Sequence, residues 1–161
     1  MAIKRSNFSY AAPDEVAHSM LTVGEAGGIV CFTNSNNFTG DPDDPDNQVG
    51  YVASPTYSGG DKDVAAGVLM MTTKNYNPAE VPDNEQDPFT VVIGSKVWVQ
   101  TGGYVETDMV ESAVLNSIVP GPAYLGTNGK LTNVENGIPV GRFGSSADSD
   151  GFVKFHVNVN K

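Results

Sequence analysis

Imidazole and thiol chemistry rests on three residues of the chain, His18, His156 and Cys31. Nucleophilic catalysis needs a Ser, Thr or Cys held within reach of a base, most often His. His18 stands in an irregular stretch near the N-terminus, and His156 falls on the polar side of the last strand pattern. Both read as ordinary surface side chains. Cys31 sits within Ile29-Val30-Cys31-Phe32, which reads as a buried small apolar residue rather than a reactive thiol. Three such groups scattered along 161 residues are too few for a Cys/His transition-metal site. No Gly-x-Ser-x-Gly, phosphate-binding loop or dinucleotide fingerprint occurs. The expectation is a protein that is not an enzyme, with no catalytic residue to assign.

Oxygen ligands are better supplied. Asp41, Asp43, Asp44 and Asp46 place four carboxylates within six residues, and calcium favours dense oxygen donors. The intervening prolines impose an extended path, however, and neither a Gly nor a distal Glu completes an EF-hand spacing. Asp148-Ser149-Asp150-Gly151 is a second short acidic turn. Both read as solvated turns, so no metal or other cofactor is expected.

The elements that must position these residues follow from composition. A chain of 161 residues suits one domain, able to bury roughly 70% of its unfolded surface. Only 17% of residues are charged, and 18 Gly and 10 Pro supply many turns. That profile belongs to short strands joined by turns, an all-β fold. The net charge of −10 repels phosphate backbones and anionic bilayers, so nucleic acid and membrane are not expected partners. The charge serves solubility, complements a basic partner, or does both. No run of 18 apolar residues exists to span a membrane. One cysteine allows no intrachain disulfide, which suits assembly in a reducing cytoplasm. Asn7-Phe8-Ser9 and Asn37-Phe38-Thr39 match the glycosylation pattern, but no signal-peptide pattern accompanies them.

Residues 1–20 show neither strand nor helix period. They read as a frayed terminus or as an arm ordered on a partner, with Phe8 and Tyr10 favouring the arm. Residues 21–161 read as one β domain with polar loops at 34–47 and 75–88. Strands are expected at Ile29–Thr33, Gln48–Ser54, Val64–Thr73, Thr90–Ile93 and Lys96–Gln100. Gly102-Gly103 reads as a turn into Tyr104–Glu106, and further strands follow at Ala123–Gly126, Lys130–Thr132 and Val140–Phe143. Val64–Thr73 is apolar on both alternating sets, Val64, Ala66, Val68 and Met70 against Ala65, Leu69 and Met71. It should therefore lie centrally, covered on each side. Asn128-Gly129 is a strong hairpin turn. Gly151–Asn160 carries the cleanest alternation, Val153, Phe155, Val157 and Val159 against Lys154, His156, Asn158 and Asn160. Thr107–Val119 fits either one amphipathic helix or a bulged strand, so at most one short helix is expected. Trp98 alternates with Val97 and Val99 and projects from the polar face of its strand. It is either an interface anchor or a ring covered by a loop.

Pro122-Ala123-Tyr124-Leu125-Gly126-Thr127-Asn128-Gly129-Lys130-Leu131-Thr132 is similar to a segment of small bacteriophage head decoration, or capsid cement, proteins. The ending also fits, through Val140-Gly141-Arg142, Ser146-Ala147-Asp148 and Asp150-Gly151-Phe152-Val153. So does the earlier Val97-Trp98-Val99-Gln100-Thr101-Gly102-Gly103. The resemblance covers roughly 91–159, more weakly 49–71, and includes no catalytic residues. The loops at 34–47 and 75–88 lie outside its pattern. It implies a small β-barrel or β-tulip domain, often trimeric, that binds the major capsid protein on the outer surface of an assembled virion after synthesis in the host cytoplasm. Phe8, Tyr10, Trp98 and Tyr57 are the expected partner-binding residues. The alternative is a carbohydrate-binding or adhesive module of a viral fibre or head appendage, with Trp98, Tyr51 or Tyr57 as stacking platforms. A small β-rich enzyme is the third reading.

Overall fold

A computed structural model describes residues 18–32, 48–60, 62–72, 90–91, 93–94 and 96–159. It is an all-β fold, 48% strand and 6% helical among the described residues, built from curled antiparallel sheets that form a half-barrel. Among the described residues twelve strands run in chain order: β1 (His18–Met20), β2 (Gly24–Glu25), β3 (Ile29–Phe32), β4 (Gln48–Val49), β5 (Val64–Thr72), β6 (Thr90–Val91), β7 (Lys96–Gln100), β8 (Gly102–Thr107), β9 (Gly121–Leu125), β10 (Leu131–Thr132), β11 (Pro139–Phe143) and β12 (Val153–Asn158).

The first sheet has the order β3-β5-β7-β1-β4, and the second β10-β9-β11-β12-β8. The first curls until its outer strands meet. Cys31 and Gly50 bridge there, with N···O distances of 2.9 and 3.2 Å. All five of its strands send side chains into one apolar cluster, Met20, Val30, Val49, Ala66, Leu69, Val97 and Val99, joined by Tyr51 and by Val91 of β6. A larger cluster lies between the sheets. Ile29, Cys31, Ala65 and Val68 of the first meet Val105, Leu125, Val140, Phe143, Phe155 and Val157 of the second.

β5 runs between β3 and β7 and contributes to both clusters. It is the doubly covered strand that its composition requires. The partition of its residues differs from strict alternation, because the register against β3 shifts at Ala66 and that against β7 at Met70. A bulge adds a residue and reverses which face follows. Ala65, Val68 and Met70 therefore face the inter-sheet core, Ala66 and Leu69 face the other, and Val64 stays exposed. Gly67 makes the shift sterically allowed: its φ is +149°, and a Cβ there would lie 2.4 Å from the Gln100 carbonyl oxygen.

Other elements depart from expectation for local reasons. His18–Met20 is strand, so any N-terminal arm ends before His18 rather than at Met20. His18 is no surface side chain. It is buried, with its ring 5.5 Å from that of Phe32. The Gln48 strand is two residues long, and Gly102-Gly103 forms the start of β8, opposite Asn158 and Val157. Residues 107–119 are neither helix nor continuous strand. The Thr107 hydroxyl accepts from the Met109 N–H and donates to the Gly27 carbonyl, both at 3.0 Å, turning the chain out of β8. Val110 then bridges Leu131, and a single 3-10 turn covers Leu115–Ser117. Val110, Val114 and Ile118 still plug the core. Their spacing is helical, but the Met109 carbonyl and the Glu111 N–H pair with Leu131, at 2.8 and 2.9 Å, instead of with helical partners.

The hairpin turn is as expected. Asn128 (φ 52°) and Gly129 (φ 72°) both occupy the left-handed region, and the Lys130 N–H donates to the Thr127 carbonyl at 3.1 Å. This is the primed turn that matches strand twist. The alternation of β12 also holds, with Val153, Phe155 and Val157 buried and Lys154 and Asn158 exposed.

Candidate interaction surface

Trp98 and Tyr57 are the two expected contact residues that the structure describes; Phe8 and Tyr10 lie outside the described residues. Trp98 is half-buried, on the opposite side of β7 from the fully buried Val97 and Val99. Tyr57 is also half-buried and packs against the inter-sheet core. Its phenol is pushed above its ordinary value by burial and by the Glu111 carboxylate, with an opposing hydrogen bond to Asn136. The segment before it is pinned to Asp63, whose carboxylate accepts from the Thr56 N–H at 2.7 Å. Among the described residues the rings of Trp98 and Tyr57 make no contact with each other, so they form no single platform.

Tyr51 is structural rather than a stacking platform. Its ring is buried between Gly24 and Gly129, where a Cβ on either would approach within 2.2 Å. Its hydroxyl donates to the Glu25 carbonyl and accepts from the Gly28 N–H at 3.2 Å. Burial drives its phenol, and likewise the thiol of Cys31, strongly upward, which leaves Cys31 an inert core residue. The acidic turn at 148–151 spends one carboxylate on its own backbone. Asp148 Oδ1 accepts from the Asp150 N–H at 3.0 Å and the Phe152 N–H at 2.9 Å. Among the described residues no group of three or more His, Cys, Asp or Glu converges as metal ligands would. The acidic loop at 41–46 lies outside the described residues.

One open feature is the outward face of the second sheet. Side chains on one face of neighbouring strands form rows across the sheet. Register places Tyr104 of β8 opposite His156 of β12, His156 opposite Arg142 of β11, and Arg142 opposite Pro122 of β9. Tyr104 is 51% exposed, and its ring lies 4.7 Å from that of His156 at an interplanar angle of 55°. Arg142 and Pro122 are exposed as well. A groove of about 590 Å³ follows this face, walled by Pro120 and Pro139 and reaching Asn158 and the bare backbone at Gly141. Gly141 has φ +153°, and a Cβ there would lie 2.0 Å from the His156 carbonyl oxygen, so no side chain fills the floor. The alternation of β12 is enough to turn His156 outward. Tyr104 and Arg142 join it through pairings between strands 14 and 52 residues away in sequence, which no local pattern carries.

Compared with models of known protein families and with curated proteins, the chain finds no match. Among the described residues no helix is long and apolar enough to cross a membrane.

Proposed function

We propose that this protein is a structural decoration protein that binds the outer surface of an assembled phage capsid and strengthens contacts between capsomers. The observation that carries the reading is the resemblance of 122–132 and 140–153 to head decoration proteins. Those residues lie in or between β9, β10, β11 and β12, four adjacent strands of one sheet. These two segments of the motif therefore meet in one sheet, while its third segment, 97–103, spans β7 and the start of β8. Reinforcement of this kind adds buried area across subunit seams, and many modest contacts combine through multivalency. On this reading the protein is not an enzyme, its partner is the major capsid protein, and it acts as a homo-oligomer, with a trimer favoured.

The test is co-sedimentation with assembled capsids, together with light scattering of the free protein. Saturable binding at a fixed ratio to capsid subunits supports the proposal, and a free mass of three chains supports the trimer. Failure to bind any candidate capsid removes it. The carbohydrate-binding alternative loses Tyr51, which is buried. A glycan screen repeated with Trp98→Ala separates the two, since a decoration protein shows no sugar dependence.

A further inference from the structure

We infer that the groove on the outward face of the second sheet docks an extended, carboxylate-bearing segment of a protein partner. The argument begins with charge. The chain carries 19 acidic against 9 basic residues, yet no carboxylate is found among the described residues that line this groove. Its lining instead contains Arg142 and His156, side by side on adjacent strands. The guanidinium presents a planar fork of donors that fits a carboxylate in bidentate fashion.

The remaining lining gives the ligand its shape. Tyr104, Pro120 and Pro139 offer apolar surface around the Arg142–His156 pair, and Asn158 offers an amide for a peptide backbone. A volume of about 590 Å³ lies within the usual range for a bound ligand and suits a few residues of extended chain. Donors outnumber acceptors on the lining side chains, since Arg has no acceptor and His at most one. That balance suits a ligand rich in acceptors, such as a carboxylate flanked by peptide carbonyls, better than a sugar whose hydroxyls must also donate. The net charge of −10 repels an acidic segment at long range, but screening confines that repulsion to roughly 8 Å at physiological salt. Recognition is therefore local, at Arg142. The inference does not depend on the partner being a capsid.

The test is a titration of the ¹⁵N-labelled full chain with the capped peptide Glu-Pro-Leu-Glu-Pro-Leu, its Gln-for-Glu counterpart and maltohexaose. The expected result is saturable shifts of the Gly141, Arg142, Gly144 and His156 amides with the acidic peptide. Affinity should fall roughly tenfold or more in Arg142→Gln and stay unchanged in Lys154→Gln, a cation on the same face outside the groove lining. Tyr104→Ala should weaken binding without changing the preference for Glu over Gln. Arg142 and Tyr104 are exposed, so these variants keep the core, and a thermal melt verifies it. Absence of shifts with the acidic peptide overturns the proposal. So does equal binding of the Gln peptide, equal loss in Arg142→Gln and Lys154→Gln, or saturation of the same amides by maltohexaose alone.

Discussion

Tyr51 shows how much of this fold hangs on single contacts between distant segments. Its ring fills the space that Gly24 and Gly129 leave, and its hydroxyl ties the Glu25 carbonyl to the Gly28 N–H. The turn of the second sheet's hairpin thus rests on a residue of the first sheet's core. Gly129→Ala would place a Cβ 2.2 Å from the Tyr51 ring at a φ of +72°. Left-handed strain and overpacking together should cost at least about 2 kcal/mol, read as a lower urea midpoint with an unchanged slope. Tyr51 also makes a prediction about alkali. Its folded-state value is raised by burial above the ordinary phenol value. The linked stability is therefore complete below about pH 10 and is lost as pH rises beyond it. In a spectrophotometric titration of the phenols, Tyr51 should ionise only with unfolding; ionisation alongside the exposed tyrosines would contradict its burial.

At the scale of elements, the connection after β8 carries a second linkage. Burial raises the Asp108 carboxyl above its ordinary value, partly offset by a hydrogen bond from its own backbone N–H and, less, by Lys130. A carboxyl raised in the folded state costs stability at neutral pH, and the cost fades as pH falls through its titration range. Asp108→Asn should therefore melt at a higher temperature at pH 7, with the advantage gone by about pH 3. Strands whose pattern is local were legible beforehand. β12 alternates without interruption, and Asn128-Gly129 specifies its own turn. β5 announced its two covered faces through composition, but the bulges that regroup its residues leave no mark except Gly67. The run 107–119 carries helical spacing and yet folds as turns, because the Met109 carbonyl and the Glu111 N–H, which a helix would pair internally, bond Leu131 of β10 instead. Of the outward row of Tyr104, His156 and Arg142, only the outward turn of His156 was legible. Register between distant strands brings Tyr104 and Arg142 to it, and Trp98 and Tyr57, the two described contact residues chosen from sequence, do not line the groove.

For the whole molecule, the boundary between arm and domain decides how binding should be dissected. Deleting residues 1–17 leaves β1 in place and should preserve the melting temperature while weakening capsid binding. Deleting residues 1–20 removes β1, with the fully buried Met20, from between β7 and β4 and should unfold the first sheet. Unchanged capsid binding by the shorter deletion removes the arm from the proposal, with the domain intact as control. β1 has a mechanical meaning too. Its three residues run antiparallel to β7 and parallel to β4, so a force applied along the strand axis is shared by both neighbours. The hydrogen bonds on both flanks then bear load together in shear instead of parting one at a time. Force entering the domain at His18 therefore reaches the interior of a sheet rather than its edge.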